Sequence, residues 1–294
     1  MRREGTSLAK TSTAAATGPI IVRTLAGLRK LTASWRKAGE TSAIIPTMGA
    51  LHAGHVELVR LGRAKARRTI TSIFVNPTQF APHEDFTRYP RDEAGDVAKL
   101  AGIDCDAIWA PSVDEMYRPG AATRIVPKGA ALGLETDFRP HFFEGVATVC
   151  CKLFTQSQAD FAIFGEKDYQ QLCVVRQMVR DLDLPIEITG MPTVREADGV
   201  AMSSRNRYLS PQERATAPII HRLIVEIANQ VKVGVAIDKA TGDAQAALEK
   251  AGFKVDYVAV RDAETLAEWD LKSQRPPRVL MAAWLGKTRL IDNL

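Results

Sequence analysis

The 294-residue chain has no stretch of about 18 uncharged apolar residues, which argues against a transmembrane helix. Cysteine is scarce. Cys105, Cys150, Cys151 and Cys173 make no CxxC pair, so neither a zinc ribbon nor a disulfide scaffold is indicated. The adjacent pair in TVCCKLF reads as small buried hydrophobes, and the chain as reduced and cytoplasmic. Residues 1–19, MRREGTSLAKTSTAAATGP, lack the apolar core of a secretory signal and read as a flexible tail, with Glu4 set against a transit peptide. Aromatics are only 6% and the basic residues are scattered, although the net charge is +5. No nucleic-acid partner is expected from that pattern. Both GxGxxG and GxxxxGK[ST] are missing, so the common glycine-rich phosphate loops are excluded. No internal repeat is evident.

What the chain does have is alternation. AIIPTM, TITSIFVN, DAIWAPS, ADFAIFG and PIEITGMPTV are short β-rich runs. Between them, HVELVRLGRAKA, RDEAGDVAKLAGI and GEKDYQQLCVVRQMVRDL carry helical periodicity. This predicts an α/β fold: a Rossmann-like parallel sheet covered on both faces, over residues 20–193. After residue 193 the texture changes. SPQERATAPIIHRLIVEIANQVK reads as a long helical pattern, and GFKVDYVAVRD and PRVLMAAWLGKTRLIDNL as strands. Residues 194–294 are therefore expected to form a smaller α+β C-terminal domain. The polar stretch at 192–210 joins the two and reads as a hinge or ligand-clamping loop.

In a parallel sheet, ligands sit beyond the carboxyl ends of the strands. PTMGALHAGH, FVNPTQF and FGEKDYQQ all fall at such ends. His52 and His55 form an HxxH pair, but Ala53 and Gly54 between them offer a metal nothing. The pair reads as structural, or as aimed at a phosphate. For the latter, Gly49 and Gly54 permit close approach, a helix start near His52 would offer N–H groups and a positive dipole end, and imidazoles stabilise charge in a phosphoryl transition state. Lys167 stands where a helix should begin, an unfavourable place for a cation unless an anion binds nearby. Asp168 reads as a helix cap or a magnesium ligand. Of the neighbours Gln170 and Gln171, one can face the site while the other faces core or solvent. Ser203, Ser204 and Arg205 suit phosphate oxygens. Asn76 and Gln79 suit a polar substrate or turn backbone.

TMGALHAGH resembles the HxGH motif of the nucleotidylyltransferase superfamily. Together with FVNPTQF, EDFTRYPR, GVATV, FGEKDYQQL, PTVREADG and AMSSRNRYLS, in that order, it resembles the pantothenate synthetase (pantoate-β-alanine ligase) family from about residue 20 onward.

The resemblance implies ATP-dependent condensation of (R)-pantoate with β-alanine through a pantoyl adenylate, giving pantothenate, AMP and pyrophosphate. It implies ATP and Mg2+ and a homodimer; no membrane partner is expected, from the lack of a long apolar stretch. His52, His55 and Lys167 would be catalytic. Met48, Gly49, His55, Gly165, Lys167, Asp168, Val194, Met202, Ser203, Ser204 and Arg205 would bind ATP, with Val194 beside the adenine and Asp168 toward ATP or its magnesium. Gln79 and Gln171 would hold pantoate. Two other readings compete: an HxGH transferase that keeps the nucleotidyl group on its product, and a nucleotide-binding protein without catalysis. One departure stands out. Where the family reads RPxHFxGV, this chain reads RPHFFEGV, with Phe142 at the histidine position and His141 one place earlier.

Overall fold

The strands Ile20–Val22 (β1), Ser42–Thr47 (β2), Arg68–Ile73 (β3), Ala107–Trp109 (β4), Phe161–Gly165 (β5) and Glu187–Met191 (β6) form one 6-stranded sheet in the order β1-β4-β3-β2-β5-β6. All pairings are parallel. The computed structural model describes residues 18–80 and 86–294. The expected tail lies outside the described residues apart from its last two positions, as do Glu84 and Asp85 of EDFTRYPR.

The inner strands are buried on both faces, β2 over 42–45 and β3 over 69–72, because helices cover the sheet on both sides. Ile44, Ile45, Ile70, Ile108 and Ile163 are fully buried, each worth roughly 1.5–3 kcal/mol of transfer free energy. Helices Leu25–Lys37, Phe142–Ser157 and Tyr169–Asp181 pack on one face. Helices Ala53–Lys65 and Glu93–Ala101 pack on the other. The order reverses at β2: the chain runs outward through β3 and β4, then returns to β5 on the opposite side. The crevice beyond the carboxyl ends of β2 and β5 is thus the switch point where such sheets bind ligands.

The C-terminal part holds helices Pro211–Thr216, Ile219–Lys232 and Ile237–Lys250 and the strands Phe253–Asp262 (β7), Pro277–Leu285 (β8) and Thr288–Asn293 (β9). These strands form an antiparallel sheet, bulged between Val255 and Tyr257. The long pattern read over 210–232 is in fact two helices, because Pro218 has no N–H to continue the first. The helix Ile237–Lys250 was not assigned from sequence. Its buried stripe is Ala240, Ala244 and Leu248, too alanine-rich to give a strong apolar period.

The two parts share a joint. Ala259, Leu266 and Leu280 join the apolar cluster under the large sheet. Arg289 Nη1 donates to both Glu135 carboxylate oxygens, at 2.9 and 2.7 Å, and Tyr257 Oη donates to Glu135 Oε1 at 2.8 Å. Burial raises the Glu135 carboxyl, but Arg289 outweighs it and holds the group below its ordinary range.

Candidate active site

A cleft of about 1110 Å³ opens at the switch point, between the large sheet and the C-terminal part. His52 and His55 stand at its floor, where β2 hands over to the helix Ala53–Lys65. His52 is the N-cap of that helix, and its Nδ1 accepts from Gly54 N–H at 3.2 Å. His55 reaches back, and its Nδ1 accepts from His52 N–H at 3.3 Å. This is a capping box made of two imidazoles rather than of Ser and Glu. The rings lie 4.1 Å apart.

The box fixes the chemistry of both rings. An Nδ1 that accepts a hydrogen bond carries no proton, so each neutral ring is protonated at Nε2. That edge faces away from the helix backbone. Burial, then the Lys167 charge, lowers His52 to about 4. Burial, then the neighbouring His52 and Lys167, lowers His55 to about 3. Both rings are therefore neutral near pH 7 and present Nε2–H donors.

One sequence expectation is corrected here. Open helix N–H groups were expected to meet an anion directly. Instead, Gly49 N–H donates to Thr47 Oγ1 at 3.2 Å, Ala50 and Leu51 N–H to Asp96, and His52 and Gly54 N–H to the imidazoles. Most of these N–H groups are thus taken, and an anion in the cleft would be met mainly by side chains. Gly49 also departs from its expected place. It is buried and does not line the cleft. Its φ of +80° serves the turn, and a Cβ there would lie 3.0 Å from Asp96 Oδ2.

The remaining expected residues converge on the cleft. Met48, Gln79, Gly165, Lys167, Asp168 and Gln171 line it from the sheet side. Val194, Met202, Ser203, Ser204 and Arg205 line it from the connecting segment. Lys167 belongs to the short turn Glu166–Asp168 after β5, and Asn293 Nδ2 clamps that turn by donating to Glu166 O and Lys167 O at 2.9 and 2.8 Å. Asp168 occupies the N-cap position of the next helix, yet its side chain makes no cap bond. It stays half-exposed, 3.8 Å from Lys167 Nζ. The cap reading of Asp168 therefore gives way. Gln170 is buried and taken up by the backbone of Glu135, Ala130 and Gly133, which leaves Gln171 for the site. Asn76 is likewise consumed by its turn, by Tyr117 and by Gly145 O. Gln79 donates to Met48 Sδ at 3.2 Å, tying the two loops together. Ser203 caps the turn Ser204–Tyr208 through Arg205 N–H, and the Val194 carbonyl accepts from Met202 N–H at 2.9 Å.

His141 is exposed and does not take the place of the family histidine. Phe142 does line the cleft, and the Arg139 guanidinium carbon sits 3.7 Å from its ring centroid. Sequence reading did not find Asp96, Glu135, Arg289 or Asn293. Only Asp96 carried a signal, as a charge on the apolar stripe that Val97 and Leu100 mark on its helix.

The pantoate-β-alanine ligase family model matches residues 20–294. The chain belongs to that family. Curated relatives agree: pantothenate synthetase 2 of Bradyrhizobium diazoefficiens is 57% identical over 94% of this chain and 98% of its own length. Pantothenate synthetase of Caulobacter vibrioides is 54% identical over 95% and 99%. Among solved structures, pantothenate synthetase from Thermus thermophilus superposes with a TM-score of 0.85 at 43% identity, covering 94% of this chain and 98% of its own. Pantoate-β-alanine ligase from Francisella tularensis, complexed with β-γ ATP and β-alanine, gives 0.78 at 32%, covering 94% and 97%. The chain is thus a ligase of this family, with the family's two-part architecture, and its relatives are enzymes of pantothenate formation.

Proposed function

We propose that this chain joins (R)-pantoate to β-alanine in two steps within the one cleft. A pantoate carboxylate oxygen attacks the α-phosphorus of ATP, and the bond to the bridging oxygen breaks to release pyrophosphate. The β-alanine amine then attacks the pantoyl carbon, the acyl-phosphate C–O bond breaks, and AMP leaves with that oxygen as pantothenate forms. The first step turns a poor acyl donor into a good one. The second expels the leaving group so installed.

The observation that carries this reading is the neutral imidazole pair, two Nε2–H donors at the end of the central strand with Lys167 on the adjacent one. Charge grows on the α-phosphoryl oxygens as pantoate attacks, and fixed donors aimed there lower the barrier. Neutral rings suit that role, because each keeps its Nε2–H near pH 7 and donates one hydrogen bond without changing its charge. Lys167 and Arg205 supply the positive charge that a triphosphate needs, with Ser203 and Ser204 beside them. Gln79 and Gln171 offer amides for the pantoate hydroxyls and carboxylate. Phe142, Phe143 and Val146 give its methyl groups an apolar wall.

Magnesium would enter with ATP. Among the described residues no group of three or more His, Cys, Asp or Glu side chains is placed to hold a metal by itself. Such an ion would be bound mainly by phosphate oxygens, with one carboxylate, Asp168, on the cleft wall. It would neutralise charge on the departing pyrophosphate. We further assign residues 20–193 to nucleotide and pantoate binding and 194–294 to a covering lid. A homodimer in the cytoplasm is the expected setting, and four free thiols support a reducing compartment.

The test is pyrophosphate release from ATP and magnesium. Slight release with pantoate alone, becoming catalytic when β-alanine is added and yielding AMP and pantothenate, is the expected result. A product that retains the nucleotidyl group would point to the transferase reading. ATP binding without any pantoate-dependent release would overturn the assignment.

A further inference from the structure

Asp96 lies on the helix Glu93–Ala101, does not line the cleft, and is almost wholly buried. Its Oδ2 accepts from Ala50 N–H at 2.8 Å and its Oδ1 from Leu51 N–H at 2.7 Å. These two donors point the same way because Gly49 and Ala50 both have positive φ, +80° and +51°. Successive N–H groups turned to one side form a nest that collects an anion. Here the anion is the protein's own carboxylate. Ala50 is not a glycine, and such a conformation persists only where its surroundings impose it. The next residue after Leu51 is His52.

We propose that Asp96 is a positioning residue for adenylyl transfer. By holding the Gly49–Leu51 turn in this conformation it sets the backbone of His52, and so the capping box that aims both Nε2–H donors. The proposal rests on reading the cleft as the site of that transfer. It does not require Asp96 to touch a substrate. The route is short: carboxylate to Leu51 N–H, Leu51 to His52, His52 N–H to His55 Nδ1.

Two variants and two readouts test it. Asp96→Ala removes both acceptors, and Asp96→Asn keeps one at nearly unchanged volume, which covers the case in which the alanine variant does not fold. For Asp96→Ala, kcat for pantoate-dependent pyrophosphate release should fall about 10²-fold, the scale of a misplaced catalytic group. KM for ATP should move less than about threefold, and Asp96→Asn should lie between. In a His55→Ala background the same change should cost less than about threefold, because groups acting as a unit are not additive. The second readout needs no substrate. In nitrogen NMR, the His52 and His55 rings should show one tautomer in the parent and a tautomer mixture in Asp96→Ala. A folded variant with parental kcat, or an equal factor with and without His55, would overturn the proposal. So would unmoved imidazole resonances, even if the parent proved to release no pyrophosphate; that last result would sink the functional reading separately.

Discussion

Replacing His55 by glutamine probes the capping box through acid stability. Glutamine is at home at the third helical position of a capping box, so the helix start should survive with little change near pH 7. What disappears is a titratable ring. His55 is lowered to about 3 in the folded protein, against about 6.5 for an exposed ring. The sign follows from proton counting. Below about pH 6.5 the unfolded ring takes up a proton that the folded ring refuses, so stability is lost as pH falls and the loss continues toward the folded value near 3. At about pH 5 the unfolded ring gains RT ln(1 + 10^1.5), about 2 kcal/mol, and the folded ring gains almost nothing. Urea unfolding near pH 7 and near pH 5 should therefore show the parent losing about 2 kcal/mol more than His55→Gln. His52, lowered first by burial and then by Lys167, is present in both proteins, so its own contribution to acid sensitivity is shared by the two. Equal acid sensitivity in the two would mean that the folded ring protonates normally, and the neutral-donor argument would fall with it.

Three further outcomes are expected. His52→Ala or His55→Ala should each lower the rate of adenylate formation by roughly 10²–10³-fold, the range for one lost transition-state donor; single-turnover pyrophosphate release reads it, and near-parental rates would remove these residues from the chemistry. Gly145→Ala should cost about 1–3 kcal/mol by overpacking and raise KM for pantoate, because a Cβ there would lie 2.5 Å from Thr78 O and 2.7 Å from Gln79 N; thermal unfolding and pantoate saturation check both. Glu135→Ala should destabilise by about 1–3 kcal/mol, since it leaves the buried Tyr257 hydroxyl without its acceptor and Arg289 held by Asp256 alone in the joint between the two parts; denaturant melts read the loss.

Much of this was legible in the chain because some residues advertise their surroundings. Five short β-rich runs with helical segments between them have few solutions other than a covered parallel sheet, and the motifs fell at strand ends by the same alternation. Lys167 was legible as a misfit, a cation at a helix start. The Gln170 and Gln171 pair was legible up to the choice between them; the Gln170 amide is taken up by the backbone of Ala130, Gly133 and Glu135. Other features had no local signature. The strand Ile20–Val22 is three residues long and borrows its pairing from Ala107–Trp109, far along the chain. Glu135 and Arg289 meet across more than half the sequence, and each alone looks like an ordinary surface charge.

The histidines mark the limit most clearly. Their spacing admitted a helix start facing an anion, with the binding power expected in the backbone. The geometry reverses the parts. The N–H groups of Gly49, Ala50, Leu51, His52 and Gly54 are consumed internally, by Thr47, by Asp96 and by the rings themselves. The rings, having given up Nδ1, are left with a single donor each, on one defined atom. A glutamate in the same box would satisfy the same N–H group but leave no donor pointing outward, and a threonine hydroxyl would place its one donor close to the backbone. Imidazole accepts at one edge of a rigid ring and donates at the other while neutral near pH 7. That is a reason for histidine at both positions that spacing cannot supply, and it makes the turn's support by Asp96 a matter of catalysis as well as of stability.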